Sequence, residues 1–109
     1  MTECELTRRL CGRLAAEGVV VLPYVAGAMC PAGVPDRWVC HPDFEGWVEF
    51  KRPGERPRPI QEHVIGRLRA AGAKVAVIEI SPGELRCGEL SAPWSGVVTM
   101  LTKLLGRAR

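Results

Sequence analysis

Leu6, Leu10, Cys11 and Leu14 recur at spacings that one face of a helix satisfies and a strand does not, so the chain opens with an amphipathic helix. Val19 to Tyr24 is short, apolar and rich in valine, and reads as a buried strand followed by a loop leading to Asp36. Two further strand-like runs follow, Asp36-Arg37-Trp38-Val39-Cys40 and Gly46-Trp47-Val48-Glu49-Phe50-Lys51, with turn character in His41-Pro42-Asp43-Phe44-Glu45 between them. Helical periodicity returns from Pro59 to Ala71, where Ile60, Val64, Leu68 and Ala71 form the expected buried stripe and Gly72 stops the helix. Lys74 to Ile80 is a strong strand, Ser81-Pro82-Gly83-Glu84 a turn, and Leu85 to Cys87 a short edge strand. The closing helix, Pro93 to Leu105, gathers Trp94, Val97, Val98, Leu101, Leu104 and Leu105 on one face, which covers the sheet or pairs with a symmetry mate. The order α-β-β-β-α-β, then a C-terminal helix, predicts an α/β fold with a central mixed β-sheet flanked by helices.

The two strands around His41 to Glu45 hold the chemistry. With Pro42 to Glu45 as a four-residue loop, His41 faces Gly46, Trp38 faces Glu49 and Asp36 faces Lys51. Period two then brings Asp36, Trp38, Trp47, Glu49 and Lys51 to one face, with Asp36 and Glu49 as diagonal neighbours roughly 7–8 Å apart at the backbone. A slip of one residue would send the two carboxylates to opposite faces. Carboxylates held this close repel each other, and a divalent cation relieves that repulsion while polarising a phosphoryl oxygen. Oxygen ligands of this hardness favour Mg2+ or Mn2+. Lys51 on the same face can orient an attacking water or stabilise charge developing on a phosphorane, and Phe50 points into the core.

Composition shifts the picture only slightly. The 109 residues suit one domain, and the net charge of +3 is modest. Its distribution is uneven, because between Phe50 and Ala70 the basic residues Lys51, Arg52, Arg56, Arg58, Arg67 and Arg69 face only Glu55 and Glu62. A basic strip beside a carboxylate site suits a polyanion such as DNA, although charge alone favours an ordinary solvated helix and loop.

Gly33-Val34-Pro35-Asp36, then Glu49-Phe50-Lys51 after twelve intervening residues, then Gln61 at the start of an amphipathic helix, resemble the VRR-NUC branch of the PD-(D/E)XK nuclease superfamily. The resemblance runs from about Glu3 to Ile80. It implies a restriction-endonuclease-like core, with Asp36 and Glu49 as metal ligands, the Phe50 carbonyl as a further ligand, Lys51 as the catalytic lysine and Gln61 as a supporting residue. The first helix of the family also supplies a glutamate. Glu3 is favoured over Glu5, since it lies within the apolar stripe while Glu5 falls near the opposite face, and a purely local role for Glu3 in a first turn capped by Thr2 stays open. Gln61 sits about 50° from the centre of its helix's stripe and is expected to flank the core.

The resemblance implies a metal-dependent, structure-selective DNA endonuclease, a stand-alone homodimeric Holliday-junction resolvase of phage type, cytoplasmic in a bacterium or an infected host cell. Arg52, Arg56 and Arg58 are the expected DNA contacts. The alternatives are a less selective phage DNA-processing nuclease and a nucleic-acid-binding module without catalysis. Cys4, Cys11, Cys30, Cys40 and Cys87 are odd in number and lack C-x-x-C spacing, which excludes a zinc site or a disulfide framework as the organising principle and reads as free thiols. His41 and His63 are expected at the surface, away from the carboxylates. Gly18 to Pro35 carries no charge over eighteen residues, but Pro23, Gly27, Pro31, Gly33 and Pro35 argue against a membrane helix, and Arg8, Arg9 and Arg13 against a signal peptide.

Overall fold

A computed structural model describes residues 1–25 and 32–107; Cys30 and part of the expected loop before Asp36 lie outside them. The elements are α1 (Glu3–Ala16), β1 (Val20–Pro23), β2 (Arg37–His41), β3 (Phe44–Lys51), α2 (Pro59–Ala70), β4 (Val75–Ser81), β5 (Glu84–Cys87), β6 (Leu90–Pro93), a 3₁₀ turn (Trp94–Gly96) and α3 (Val97–Leu105). The strands form one mixed sheet in sequential order. Every neighbouring pair is antiparallel except β3 and β4, which are parallel and joined through α2. This is the expected α/β architecture, with an additional strand at the far edge.

Strand alternation divides the sheet into two faces. Val39, Phe44, Val48, Phe50, Ala76, Ile78, Ile80 and Leu85 point to one face and meet Leu6, Leu10 and Leu14 of α1 and Val97, Met100, Leu101 and Leu105 of α3 in the main core. On the opposite face α2 covers the centre of the sheet with Gln61 and Ile65. Two helices on one face and one on the other leave the ends of β2 and β3 accessible, which is where the carboxylates lie.

The hairpin register departs from expectation by two residues. His41 pairs with Phe44, Trp38 with Trp47 and Arg37 with Val48, so only Pro42 and Asp43 form the loop. The cause is Phe44, which is fully buried in the core and cannot be spared for a four-residue turn. A shift of two preserves side-chain parity, so Trp38, Trp47, Glu49 and Lys51 still share a face. Asp36, however, sits across from Glu49 and not from Lys51, as their direct hydrogen bonding requires.

Four other expectations are corrected. β1 is an exposed edge strand and not a buried one, because Val20 and Leu22 lie on the α2 face of the sheet but outside the part that the helix covers, and only Val19 and Val21 pack on the core. The edge strand at the other end is β6, with β5 interior to it, and Pro93 ends β6 so that the last helix begins at Val97. The buried stripe of α2 runs through Gln61 and Ile65, while Ile60 is exposed, because the Gln61 amide turns inward to a buried acceptor. His41 is half-buried, stacked on Phe44 with centroids 4.8 Å apart, and its Nδ1 accepts the Asp43 N–H. The stripe of α3 covers the sheet and includes Met100. Cys4, Cys11, Cys40 and Cys87 are free thiols, and no helix among the described residues is long and apolar enough to cross a membrane.

Candidate active site

Asp36 ends the Gly33-Val34-Pro35 turn immediately before β2, and Glu49 sits near the C-terminal end of β3 beside it. The Asp36 N–H donates to Glu49 Oε1 at 3.0 Å, and the Phe50 N–H donates to Asp36 Oδ2 at 3.4 Å. Backbone and side chain thus interlock the two carboxylates across the strands. Glu49 Oε2 accepts from Gln61 Nε2 at 3.0 Å and meets Lys51 Nζ at 3.1 Å. Gln61 is fixed in turn, because its Oε1 accepts the Arg58 N–H at 3.0 Å at the start of α2. The sequence places Asp36, Lys51 and Gln61 on three elements, and the fold converges them on the Glu49 carboxylate, only 2% exposed.

Burial raises the Glu49 pKa above its ordinary value, the Asp36 charge pushes it further the same way, and Lys51 opposes both. Those opposing terms describe a carboxylate kept in place against its own desolvation. Glu3 belongs to the same neighbourhood: partial burial raises its pKa, as do Glu55 and Asp36, while Lys51 and Arg52 lower it. Glu5 does not compete for the role. Its Oε2 accepts the Thr2 N–H and its own N–H donates to Thr2 Oγ1, a reciprocal capping box. The Thr2-x-x-Glu5 spacing carried that signal in the sequence, and it separates the two glutamates more firmly than the helical angle does.

Solved structures share this arrangement of elements. The chain is similar to a VRR_NUC domain, with 28% identity and a TM-score of 0.60 over 71% of this chain and 83% of that one. The chain shares the fold of that VRR_NUC domain. It is also similar in fold to Hjc, a Holliday junction resolvase from the archaeal hyperthermophile Archaeoglobus fulgidus, at 18% identity and a TM-score of 0.55, covering 84% of this chain and 77% of that one. No family model and no curated protein matches the sequence.

Within this fold the turn before Asp36 has a steric logic of its own. Gly33 adopts φ +86°, and a Cβ there would lie 2.6 Å from the Ile60 carbonyl oxygen. The glycine lets the turn press against the first turn of α2, which holds Gln61 within reach of Glu49. Gly33→Ala is therefore expected to destabilise the domain by about 1–3 kcal/mol, from the left-handed backbone and the displaced contact. A urea midpoint within error of the wild type would refute this account of the turn.

The expected DNA contacts Arg52, Arg56 and Arg58 are all exposed, in the segment joining β3 to α2, and Arg52 acts on Glu3. Trp38 and Trp47 meet edge to face, centroids 5.3 Å apart, and Tyr24 meets Trp47 at 6.3 Å, beside the carboxylates on their face of the sheet. One residue escaped the sequence reading. Arg37 shares the face of Val39 and lines a depression with Glu3, Cys4, Thr7 and Asp36. An arginine in phase with core residues is out of pattern, and that was the available signal.

Proposed function

We propose that this chain is a VRR-NUC-type, divalent-metal-dependent endonuclease that hydrolyses DNA phosphodiesters, acting as a homodimer on branched DNA in the manner of a Holliday-junction resolvase. The observation that carries the reading is the Asp36–Glu49 pair, with Lys51 and Gln61 both bonded to the buried Glu49. The VRR_NUC likeness supports a nuclease, and the likeness in fold to Hjc is compatible with a branched substrate.

The donor set fits Mg2+ or Mn2+. Among the described residues no three His, Cys, Asp or Glu side chains cluster tightly enough to enclose an ion. Magnesium does not need such a cage, since it commonly takes one or two carboxylates and completes its shell with water and substrate phosphate. Asp36 and Glu49 would be the two carboxylates, with the Phe50 carbonyl and Glu3 as further candidates. Each carboxylate oxygen has two lone pairs; Glu49 Oε2 uses both on Lys51 and Gln61, whereas Oε1 uses one on the Asp36 N–H. The remaining acceptor capacity of Glu49 therefore lies at Oε1, the oxygen shared with Asp36. A divalent cation held there would neutralise the pair, polarise a phosphoryl oxygen and acidify a water.

The chain's own groups supply the rest. Lys51, half-buried on the same strand face, brings an ammonium to the place where negative charge grows on phosphorus, and can also orient the attacking water. Gln61 holds the Glu49 carboxylate against rotation. Two identical sites related by a two-fold axis would nick equivalent strands of a four-way junction, which is the reason for proposing a dimer.

The test is cleavage of end-labelled four-way junction, linear duplex and single strand, with Mg2+, with Mn2+ and with chelator. Paired nicks on the junction, abolished by chelator, are expected. Absence of cleavage on every substrate with either metal would sink the catalytic reading, and a monomer by light scattering at assay concentrations would remove the symmetry argument.

A further inference from the structure

The depression that contains Glu3 and Asp36 does not end at the carboxylates. It has a volume of about 340 Å3 and is lined by Glu3, Cys4, Thr7, Asp36 and Arg37. A second depression of about 370 Å3 adjoins it and shares two of its walls, Cys4 and Arg37. Arg8, Ala15, Val21 and Pro23 are among its remaining lining residues. Together they make a continuous groove from the carboxylate centre along the side of α1, bounded by the edge strand β1.

Arg37 stands where the two depressions meet. It pairs with Pro23 of β1, and its Nη1 donates to the Asp36 carbonyl at 3.0 Å, so the guanidinium is tied to the backbone of a candidate metal ligand. It also reaches the Cys11 thiol. These contacts use only part of a planar fork of five N–H donors, the geometry that matches a phosphate. Neither Arg37 nor Arg8 forms an ion pair among the described residues, unlike Arg13, which is paired with Glu17. Two unpaired guanidiniums along one groove that opens on the carboxylates are placed to follow a polyanion.

We propose that this groove carries the sugar-phosphate backbone of the DNA on one side of the scissile position, with Arg37 and Arg8 as its phosphate contacts. The proposal rests on the nuclease reading and extends it. The exposed Arg52, Arg56 and Arg58 belong to a different element, the segment joining β3 to α2, from which Arg52 also acts on Glu3. The two contacts on the α1 side set the path of the strand without reading sequence.

Binding of fluorescently labelled duplex and four-way junction by wild type, Arg8→Ala, Arg37→Gln and Arg9→Ala, measured as anisotropy over a range of salt concentrations, tests it. Arg9 is exposed on the same helix and lines neither depression, so its loss changes net charge equally. Each phosphate contact removed should lower the slope of log Kobs against log salt by about 0.9 on duplex. Arg8→Ala and Arg37→Gln are expected to show that loss and Arg9→Ala is not. Arg8 is exposed, so its variant carries the test even if Arg37→Gln unfolds, which circular dichroism would reveal. Wild-type binding with slopes unchanged in the Arg8 variant, or reduced equally by Arg9→Ala, overturns the groove and leaves the nuclease reading standing. A wild-type protein that binds no DNA overturns the nuclease reading itself.

Discussion

Asp36→Asn should lower metal-dependent cleavage of a four-way junction by on the order of 10³-fold while leaving the fold in place. The substitution keeps the shape of the side chain and an oxygen able to accept the Phe50 N–H, so the turn and the β2–β3 pairing lose little. What disappears is one of two negative charges available to a cation. Charge stabilisation by a metal contributes several kcal/mol to a phosphoryl transition state, and about 1.4 kcal/mol corresponds to a factor of ten in rate. Single-turnover rates under saturating Mg2+, together with Tm, check both halves of the expectation. A rate within tenfold of wild type, with Tm unchanged, would mean that Asp36 is not a ligand and that the role proposed for the Gly33-Val34-Pro35-Asp36 motif is wrong.

Glu49→Gln has the second large effect, and here activity and stability part company. Cleavage should again fall by on the order of 10²–10³-fold, because the amide cannot supply the charge. Stability should respond through pH. The folded-state pKa of Glu49 is raised above its ordinary value of 4.5, first by burial and then by Asp36. Between that value and the raised one, the folded protein holds a proton that the unfolded chain has lost. Wild-type stability therefore falls as pH rises through this window. The variant has no such proton to lose, so its stability relative to wild type should climb with pH from about 4.5 upward and then level off. Paired urea melts across acidic to neutral pH measure the difference, and a flat or falling difference would contradict the burial and repulsion assigned to Glu49. The same ionisation governs metal binding, so Mg2+ affinity should strengthen over that window as the carboxylate loses its proton.

Such a carboxylate is costly to fold around, and the protein retains it with three donors from three elements. Asp36 contributes its N–H from the end of a turn, Lys51 its ammonium from the same strand, and Gln61 its amide from α2. If the proposed nuclease reading holds, stability spent in this way is a common trade, because activity often needs a strained or desolvated group.

The two strands of the hairpin illustrate how far local pattern reaches. Alternation along Gly46 to Lys51 is a property of the strand itself, so the common face of Trp47, Glu49 and Lys51 follows from residue order alone. The pairing of Asp36 with Glu49 does not. It depends on a two-residue loop, chosen because Phe44 is worth more in the core than in a turn, and that core is built by α1 and α3 from both ends of the chain. The expected register survived as a set of faces and failed as a set of partners.

Gln61 and Arg37 follow the same rule from the other direction. Apolar spacing assigned Ile60 to the buried side of α2, yet Gln61 is buried and Ile60 exposed, because an acceptor on another strand compensates the amide. Arg37 reads as an ordinary strand residue until the helix beside it turns that position into the wall of a groove. Residue type and periodicity were enough for an α/β chain and for the face that Asp36, Glu49 and Lys51 share, since those are encoded within single elements. Loop length, helix rotation and the placing of Arg37 in the wall of a groove came from packing between elements distant in the chain, where competition for burial and for hydrogen-bond partners has no local signature.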